Sequence, residues 1–217
     1  MALPQLTHPI TYLITSGTSK KREGKDFAKL LALIECACDA RVDLIQIREK
    51  KLSARSLYEL TLRAASITRQ TKTLLLVNDR ADIARAGGAD GVHLTTGSIE
   101  ARAVRRTFGH DFLIGVSTHS LSEAQRARDQ GADFATFGPI FDAPSKRIYG
   151  APVGLAKLSE AAHALAPFPL IALGGITTRE NAHDALRAGA KGIAAIRLFS
   201  QARSLSETIS ALKRIKS

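Results

Sequence analysis

The strongest constraint on the fold is an alternation of strand-like and helix-like segments that runs through all 217 residues. Short apolar runs rich in β-branched residues alternate with longer stretches whose apolar residues recur at helical spacing. The strand-like segments are 11–15, 43–48, 73–78, 91–94, 112–117, 133–138, 169–173 and 192–196. Eight such units in a chain of this length predict an α/β fold, a single-domain (β/α)8 barrel of the TIM type over residues 1–217, rather than an open doubly wound sheet.

The junctions between helices and strands support the same interpretation. Gly87-Gly-Ala-Asp90, Gln130-Gly-Ala-Asp133 and Ala188-Gly-Ala-Lys191 each join a predicted helix to a strand. A glycine at a helix end supplies the left-handed cap that a short loop of this kind needs. Ser53 is expected to cap the second helix, and Ser98 to open the fourth. No Gly-x-Gly-x-x-Gly motif follows the first strand, which argues against a dinucleotide-binding fold.

Charge and composition narrow the possible partners. The net charge of +11 would suit a nucleic-acid-binding protein, but the basic residues are scattered, and only Lys20-Lys21-Arg22 forms a tight cluster. Aromatic residues make up 5% of the chain, which leaves little for base stacking. We therefore expect no nucleic-acid partner, and the excess charge favours an anionic small substrate. The absence of an apolar run of ~18 residues, and of a secretion signal, predicts a cytoplasmic protein with no membrane partner. A homo-oligomer remains possible.

Two cysteines, Cys36 and Cys38, lie two residues apart within a predicted helix. Side chains at that spacing diverge, so a disulfide or a metal site between them is disfavoured. Both are expected to be buried free thiols.

The second strand carries polar residues that packing alone does not explain. Gln46 and Arg48 share the face of this strand that also carries Leu44, and Lys50 follows just beyond its end. An amide and two cations that converge in this way suit a bound anion, most naturally a phosphate or diphosphate. The alternative is a strand end that reaches solvent with ordinary surface charges.

Other strand ends carry similar chemistry, and a barrel would gather them on one face. These residues are Asn78, Asp79, Ser117, His119, Ser145, Lys146, Arg147, Gly174, Gly175 and Arg197. The oxygen-rich Asn78-Asp79 pair would suit a magnesium ion (Mg2+) shared with a diphosphate, although Asp79 could instead be a helix cap. His119 could likewise cap the next helix. The Gly174-Gly175 pair offers bare backbone amides for a phosphate, or serves only as a turn.

Several motifs, in this order and spacing, resemble those of the thiamine-phosphate synthase family and its relatives, the thiazole tautomerases. The motifs are Tyr12-Leu-Ile-Thr15, Gln46-Ile-Arg-Glu-Lys50, Asn78-Asp-Arg80, Gly88-Ala-Asp-Gly-Val-His-Leu94, Gly115-Val-Ser-Thr-His119, Gly131-Ala-Asp133, Gly138-Pro-Ile-Phe141 and Leu173-Gly-Gly-Ile176. The resemblance implies a (β/α)8 barrel that couples a hydroxymethylpyrimidine diphosphate to a thiazole phosphate. The products would be thiamine phosphate and diphosphate, formed by a dissociative, Mg2+-assisted reaction.

The resemblance also implies roles for individual residues. The diphosphate would be held by Gln46, Arg48, Lys50, Asn78, Ser117 and Lys146. Asp79 would bind Mg2+, and Gly174 with Gly175 would approach the thiazole phosphate. The residues expected to take part in catalysis are Lys146, Ser117 and His119. Arg, Lys and Mg2+ would neutralise the charge on the departing diphosphate. Because the thiazole nitrogen captures the remaining pyrimidine methyl cation, the reaction needs no protein nucleophile.

Three departures from the family pattern bear on the activity. Ser98 stands where the family has a second magnesium-binding Asp, and a hydroxyl is a poorer ligand than a carboxylate. Ala143 and Ser145 stand in place of two Thr before the Lys, and Arg197 replaces a Ser that contacts phosphate. Arg197 could bind that phosphate or occupy its place. These changes leave two alternatives: a tautomerase that uses His119 as general acid or base, and a barrel that binds a phosphate ligand without catalysis.

Overall fold

The computed structural model describes residue 3 and residues 6–17, 25–142 and 151–215. Its parallel strands form a closed barrel in chain order, each paired with the next and the last with the first. The strands are β1 (Ile10–Ile14), β2 (Leu44–Ile47), β3 (Leu74–Asn78), β4 (Gly91–Leu94), β5 (Leu113–Thr118), β6 (Phe134–Phe137), β7 (Leu170–Leu173) and β8 (Gly192–Ala195). The predicted (β/α)8 barrel is therefore confirmed, with strand ends shifted by at most one residue.

Helices follow the strands around the outside of the barrel. They are α1 (Lys25–Asp39), α2 (Ala54–Thr68), α3 (Ala81–Ala86), α4 (Ala101–Phe108), α5 (Leu121–Asp129), α6 (Gly154–Leu165), α7 (Arg179–Arg187), α8 (Arg197–Ser200) and α9 (Leu205–Lys213). Ser53 caps α2 as predicted, since its hydroxyl accepts from the Ser56 backbone N–H. Within the described ranges, no helix is long and apolar enough to cross a membrane.

Two details of the predicted helices are wrong. The fourth helix begins at Ala101 with Glu100 at its N-cap, not at Ser98, because the Ser98 side chain is engaged elsewhere in the loop. The short helix α8 was not foreseen. It starts at Arg197, immediately after β8, where the sequence suggested only the end of a strand.

The alternation of side chains along each strand creates two apolar cores. On β2, Ile45 and Ile47 pack outwards against the helices, whereas Leu44 points into the barrel, so the two sets lie on opposite faces as the period-two spacing predicts. The inner core consists of Ile10, Tyr12, Ile14, Leu44, Leu76, Leu113, Phe134, Ile171 and Ala194. Each large side chain buried in this way stabilises the fold by about 1.5–3 kcal/mol. Because these side chains fill the barrel interior, the polar residues further along the same strand faces emerge at its C-terminal mouth.

Three aspartates stabilise the opposite, N-terminal rim. Asp43, Asp90 and Asp133 each lie immediately before an even-numbered strand. Their Oδ2 atoms accept hydrogen bonds from the backbone N–H groups of the preceding strand, at Thr11 (2.8 Å), Leu75 (2.7 Å) and Ile114 (2.7 Å), respectively. This explains the recurring Gly-Ala-Asp segments, which the sequence suggested only as helix ends. The corresponding position before β8 is Lys191, so the pattern does not extend to the last pair of strands.

Both cysteines are free, as predicted, but only one is buried. Cys38 is buried, while Cys36 is exposed on α1, so the predicted burial of Cys36 is wrong. Cys36 lies on the solvent side of α1 because two residues turn a helix by about 200°.

Candidate active site

The C-terminal mouth of the barrel carries polar side chains on neighbouring strands. Gln46 on β2 follows the inner-core residue Leu44 by two positions and therefore faces inward. In the strand register, Asn78 on β3 pairs with His93 on β4, and Ser117 on β5 pairs with Thr136 on β6. These side chains form a polar layer directly above the apolar filling.

Gln46 is buried, with 1% exposure. Among the buried side-chain nitrogen and oxygen atoms of the described residues, its Nε2 is the one that has no hydrogen-bond partner. Leaving such an amide unpaired costs about 1–3 kcal/mol. A ligand atom that accepts from Nε2 would remove this cost. Arg48, half-buried at the end of β2, places a cation beside the same mouth, while Lys50 is exposed.

Glu49 was not singled out from the sequence, although it lies between Arg48 and Lys50 in the motif. It is buried to 3% exposure, and its Oε1 accepts from the Gly17 backbone N–H at 3.1 Å. Gly17 has a φ of 77°, and a Cβ there would lie 3.1 Å from the Arg48 carbonyl oxygen. Glu49 therefore holds the end of β1 against the backbone of Arg48. The sequence signal that could have identified Glu49 is its position as a single carboxylate among cationic residues.

Asp79 follows β3 in an unusual backbone conformation. Its φ of 65° is in the left-handed region, and its N–H donates to the His93 carbonyl at 2.9 Å. The N-cap of α3 is Arg80, without a side-chain cap bond, so the alternative of Asp79 as a helix cap is wrong. The Ser98 hydroxyl donates to Asp79 Oδ1 and accepts from the Thr95 N–H at 2.7 Å. These two hydrogen bonds of Ser98 hold the Asp79 carboxylate in position.

The donor set at Asp79 decides what kind of metal site could exist here. Residues 3, 6–17, 25–142 and 151–215 contain no group of three or more His, Cys, Asp or Glu that could hold a metal ion. Mg2+ commonly binds through one or two carboxylates and takes its other ligands from substrate phosphates and water. Asp79, with Ser98 and the neighbouring Asn78, fits a magnesium ion shared with a diphosphate. It does not fit a cage made by the protein alone.

His93 is a further polar residue that the sequence indicated only as part of a motif. Its exposure is 2%, and its Nδ1 and Nε2 lie 3.1 Å from Tyr12 Oη and 3.0 Å from Ser117 Oγ, respectively. Burial, and secondarily the positive charge of Arg48, lowers the pKa of His93 to about 3. The imidazole is therefore neutral, and it connects the inner core to the polar layer.

His119 and Ser117 both lie at the end of β5, but they differ in setting. Ser117 is half-buried in the mouth, whereas His119 is exposed at the rim. The imidazole Nδ1 bonds to the Gly138 carbonyl oxygen, which can only accept, so Nδ1 carries a hydrogen, and in the neutral tautomer Nε2 is the acceptor. The N-cap of α5 is Ser120, which accepts from the Glu123 N–H. The His119 side chain does not cap the helix.

Gly174 and Gly175 are required by close packing of the loop after β6. Their φ values are 98° and 69°, and a Cβ would lie 2.5 Å from Pro139 Cβ or from the Phe141 carbonyl oxygen, respectively. Two backbone hydrogen bonds hold this loop against the end of β7. Ile140 N–H donates to the Leu173 carbonyl and Phe141 N–H to the Gly174 carbonyl, each with a donor–acceptor distance of 3.0 Å. The positive φ values and the close approach of this loop thus explain why both residues are glycine.

A cavity of about 710 Å³ opens beside these glycines, at the ends of β7 and β8. It is lined by Gly175, Thr178, Arg179 and Arg197, among others. Arg197 is exposed and lines this space without filling it. Its charged lining residues are two arginines and one carboxylate, Asp142, so positive charge predominates and the cavity suits an anion.

The structure thus brings together Gln46, Arg48, Asn78, Asp79, Ser98 and Ser117 on adjacent strand ends. Lys146, with Ala143, Ser145 and Arg147, lies outside the described residues.

Comparisons with known proteins identify the family to which this barrel is similar. The family described as thiamine monophosphate synthase matches residues 11–199. The thiamine-phosphate synthase of Chlorobium luteolum is 43% identical over 85% of this chain and 86% of its own length. That of Methanoculleus marisnigri is 38% identical over 93% of this chain and 96% of its own. The solved structure of thiamine phosphate pyrophosphorylase from Pyrococcus furiosus has a TM-score of 0.79 at 27% identity, covering 96% of this chain and 95% of that one.

The family match spans most of the barrel, and the relatives align over nearly their whole length at well above 30% identity. The resemblance inferred from the sequence motifs is confirmed. The chain belongs to the thiamine monophosphate synthase family.

Proposed function

We propose that this protein is a thiamine-phosphate synthase, a transferase that joins a hydroxymethylpyrimidine diphosphate to a thiazole phosphate and releases diphosphate. Family membership supports the reaction class. The observation that carries the proposal at the site is the polar end of β2. There, Gln46 carries a buried amide with an unpaired N–H, and Arg48 carries a half-buried guanidinium. Both residues lie at the barrel mouth.

The proposed chemistry is governed by the charge on the leaving group. As the bond to the pyrimidine methylene breaks, the diphosphate gains negative charge, and Arg48 and Lys50 neutralise it. A guanidinium can bind two oxygens of a phosphate at once, which also orients the leaving group. The remaining pyrimidine methyl cation is captured by the thiazole nitrogen. Ser117 and Lys146 are proposed to contact the departing diphosphate.

Asp79 is the residue proposed to hold Mg2+, with Asn78 and Ser98 beside it. When bound, the ion supplies positive charge to the diphosphate oxygens. Ser98 engages Oδ1 of Asp79, so Oδ2 is the oxygen proposed for the metal. With a single carboxylate, the site depends on the substrate for its remaining ligands.

The thiazole phosphate is proposed to bind in the cavity beside Gly175. Arg197 and Arg179 together outweigh the one carboxylate of the lining, Asp142, and the cavity volume of about 710 Å³ exceeds what a phosphate requires. Because Arg197 lines the cavity and leaves it open, we propose that this residue binds the phosphate and does not exclude it.

One observation favours a second function, thiazole tautomerisation. His119 carries its hydrogen on Nδ1, so its Nε2 presents a lone pair at the exposed rim of the same mouth. A neutral imidazole with a free lone pair can act as a general base near neutral pH. The tautomerase alternative therefore depends on His119, whereas the synthase proposal depends on Arg48.

The test is turnover with both phosphorylated substrates and Mg2+, followed by chromatographic detection of thiamine phosphate and release of diphosphate. We expect both products in equal amounts, and loss of both when the metal is chelated. No thiamine phosphate at high enzyme concentration would refute the synthase proposal. Isomerisation of the thiazole is followed in parallel with the His119→Asn variant, and an unchanged rate excludes the second function. Ligand binding without either reaction would leave a non-catalytic barrel.

A further inference from the structure

We propose that His93 is a positioning residue that fixes the Ser117 hydroxyl as a hydrogen-bond donor to the substrate, through a directional chain that starts at Tyr12. The identity of the substrate rests on the proposed function. The direction of the chain depends only on contacts inside the barrel. Neither Tyr12 nor His93 would touch the reacting atoms.

The chain crosses the barrel interior between β1, β4 and β5. Tyr12 is fully buried at 0% exposure and His93 at 2%, while Ser117 is half-buried at the mouth. The two hydrogen bonds, 3.1 Å from Tyr12 Oη to His93 Nδ1 and 3.0 Å from His93 Nε2 to Ser117 Oγ, have ordinary lengths. The chain therefore links a fully buried phenol to a side chain that reaches the mouth.

Packing holds the imidazole in one orientation. The ring centroids of Tyr12 and Phe134 lie 5.7 and 5.8 Å from that of His93. On the remaining side, a Cβ at Gly115 would lie 2.7 Å from His93 Nδ1 and 2.4 Å from Phe134 Cζ. Only a glycine at position 115 leaves room for both rings, so the imidazole has little freedom to turn.

The phenol decides which nitrogen carries the hydrogen. Within the part of the chain that the structure describes, Tyr12 Oη has His93 Nδ1 as its hydrogen-bond partner. If Nδ1–H donated to Oη, the phenol hydrogen would be buried without an acceptor, which is costly. If the phenol donates to Nδ1, both groups are satisfied. Burial raises the pKa of Tyr12 well above its usual value, so the phenol keeps this hydrogen.

The tautomer of His93 then sets the direction of its hydrogen bond to Ser117. A neutral imidazole that accepts at Nδ1 carries its hydrogen on Nε2, and Nε2–H donates to Ser117 Oγ. Thr136 Oγ1, at 3.4 Å from the same nitrogen, is a more distant acceptor. Because Ser117 Oγ accepts from the ring, its own hydrogen is available to a ligand in the mouth. The reverse chain would leave only Ser117 lone pairs there, which repel an anion.

The first experiment determines the tautomer of His93 in the free, unaltered protein. Long-range ¹H–¹⁵N correlation spectra distinguish Nδ1–H from Nε2–H, and the His93 ring is assigned through its bonds to the backbone. We expect Nε2–H. Observation of Nδ1–H would overturn the proposal whether or not the protein makes thiamine phosphate, because this measurement involves no substrate.

The second experiment removes the start of the chain with Tyr12→Phe, which keeps the ring but not the hydroxyl. We expect His93 to lose its fixed Nε2–H tautomer. The affinity for inorganic diphosphate and kcat/KM should both fall roughly tenfold, the worth of about one hydrogen bond to a charged group. Tyr58→Phe, which removes a phenol hydroxyl from α2 outside the barrel, is the matched control and should change neither quantity.

A double-mutant cycle separates positioning from general damage to the fold. If the chain acts through Ser117, Tyr12→Phe should have little further effect in a Ser117→Ala background. Independent, multiplicative losses together with an unchanged tautomer would refute the coupling. Affinity for inorganic diphosphate provides the readout if no thiamine phosphate forms, so failure of this inference and of the proposed function are distinguishable. If Tyr12→Phe does not fold, the tautomer of the unaltered protein still decides the direction.

Discussion

The two rims of the barrel use similar polar residues in opposite ways. At the N-terminal rim, Asp43, Asp90 and Asp133 accept hydrogen bonds from backbone N–H groups of neighbouring strands. At the C-terminal rim, Gln46 keeps an unpaired buried N–H, and Arg48 presents a half-buried cation at the mouth. The N-terminal rim thus satisfies its own polar groups, while the C-terminal rim is prepared to bind a ligand.

Asp90 and Asp79 show how much this difference depends on position. Asp90 lies before β4, where its carboxylate bonds to the Leu75 N–H of the adjacent strand. Asp79 lies after β3, exposed and in a left-handed conformation, and its carboxylate bonds to the Ser98 hydroxyl. The same residue type stabilises the sheet at one end of the strands and is the proposed metal ligand at the other. A carboxylate therefore has to be interpreted by the strand end that carries it.

The largest expected effect is on activity at the C-terminal rim. Arg48→Ala removes a half-buried cation at the mouth, and kcat/KM for thiamine phosphate formation should fall by roughly 100-fold or more, since charge-assisted contacts stabilise the transition state. The melting temperature should change little. Arg85→Ala, on the exposed side of α3, is the control and should retain full activity. A loss of roughly fivefold or less is what one weak contact is worth. Such a result would mean that the diphosphate binds elsewhere.

Next in size is the loss of stability expected at the N-terminal rim. Asp133→Ala leaves the Ile114 N–H unpaired and breaks the 2.7 Å ion pair with Arg105, both partly buried. We expect urea unfolding to show a loss of about 2–3 kcal/mol with kcat/KM unchanged. Asp129→Ala, which breaks only an exposed pair with Arg128, should alter stability by at most about 0.5 kcal/mol. A large fall in activity without a loss of stability would contradict the division between the rims.

A smaller effect is expected when Ser98 is replaced by a carboxylate. Ser98→Asp places a second acid beside Asp79, and the affinity of the free protein for Mg2+ should rise by about tenfold, or about 1.4 kcal/mol. Isothermal titration calorimetry without diphosphate measures this directly. Ser98→Ala should not raise the affinity. If the two variants bind Mg2+ equally, Asp79 is not the metal ligand.

The smallest expected effect is a pH dependence at Asp90. Burial raises the pKa of Asp90 above its usual 3.8, so the folded state favours the protonated form. As the pH rises through 3.8 and then through the raised value, the unfolded chain loses this proton first, and Asp90 contributes progressively less to stability. In Asp90→Asn, which retains an acceptor for the Leu75 N–H, this loss should be absent. Urea unfolding between about pH 3 and pH 7 measures the difference. A constant difference across this range would contradict the expectation.

Much of the architecture could be predicted from local patterns. The alternation of strand and helix signals gave the barrel, and period-two spacing correctly placed Leu44 and Ile45 on opposite faces of β2. The motifs led to the family, which the relatives confirm. At the mouth, Gln46, Arg48 and Asp79 could be named because a parallel barrel gathers the C-terminal ends of its strands.

Other features were decided by tertiary structure alone. The bond between Tyr12 and His93 joins residues 81 positions apart, and that between Asp79 and Ser98 joins residues 19 positions apart. Their partners are set by the register of neighbouring strands and by closure of the barrel. Sequence periodicity reports which face of a strand a side chain occupies, because that depends on local backbone geometry. Which polar atom it meets there depends on strands that only the closed barrel brings together.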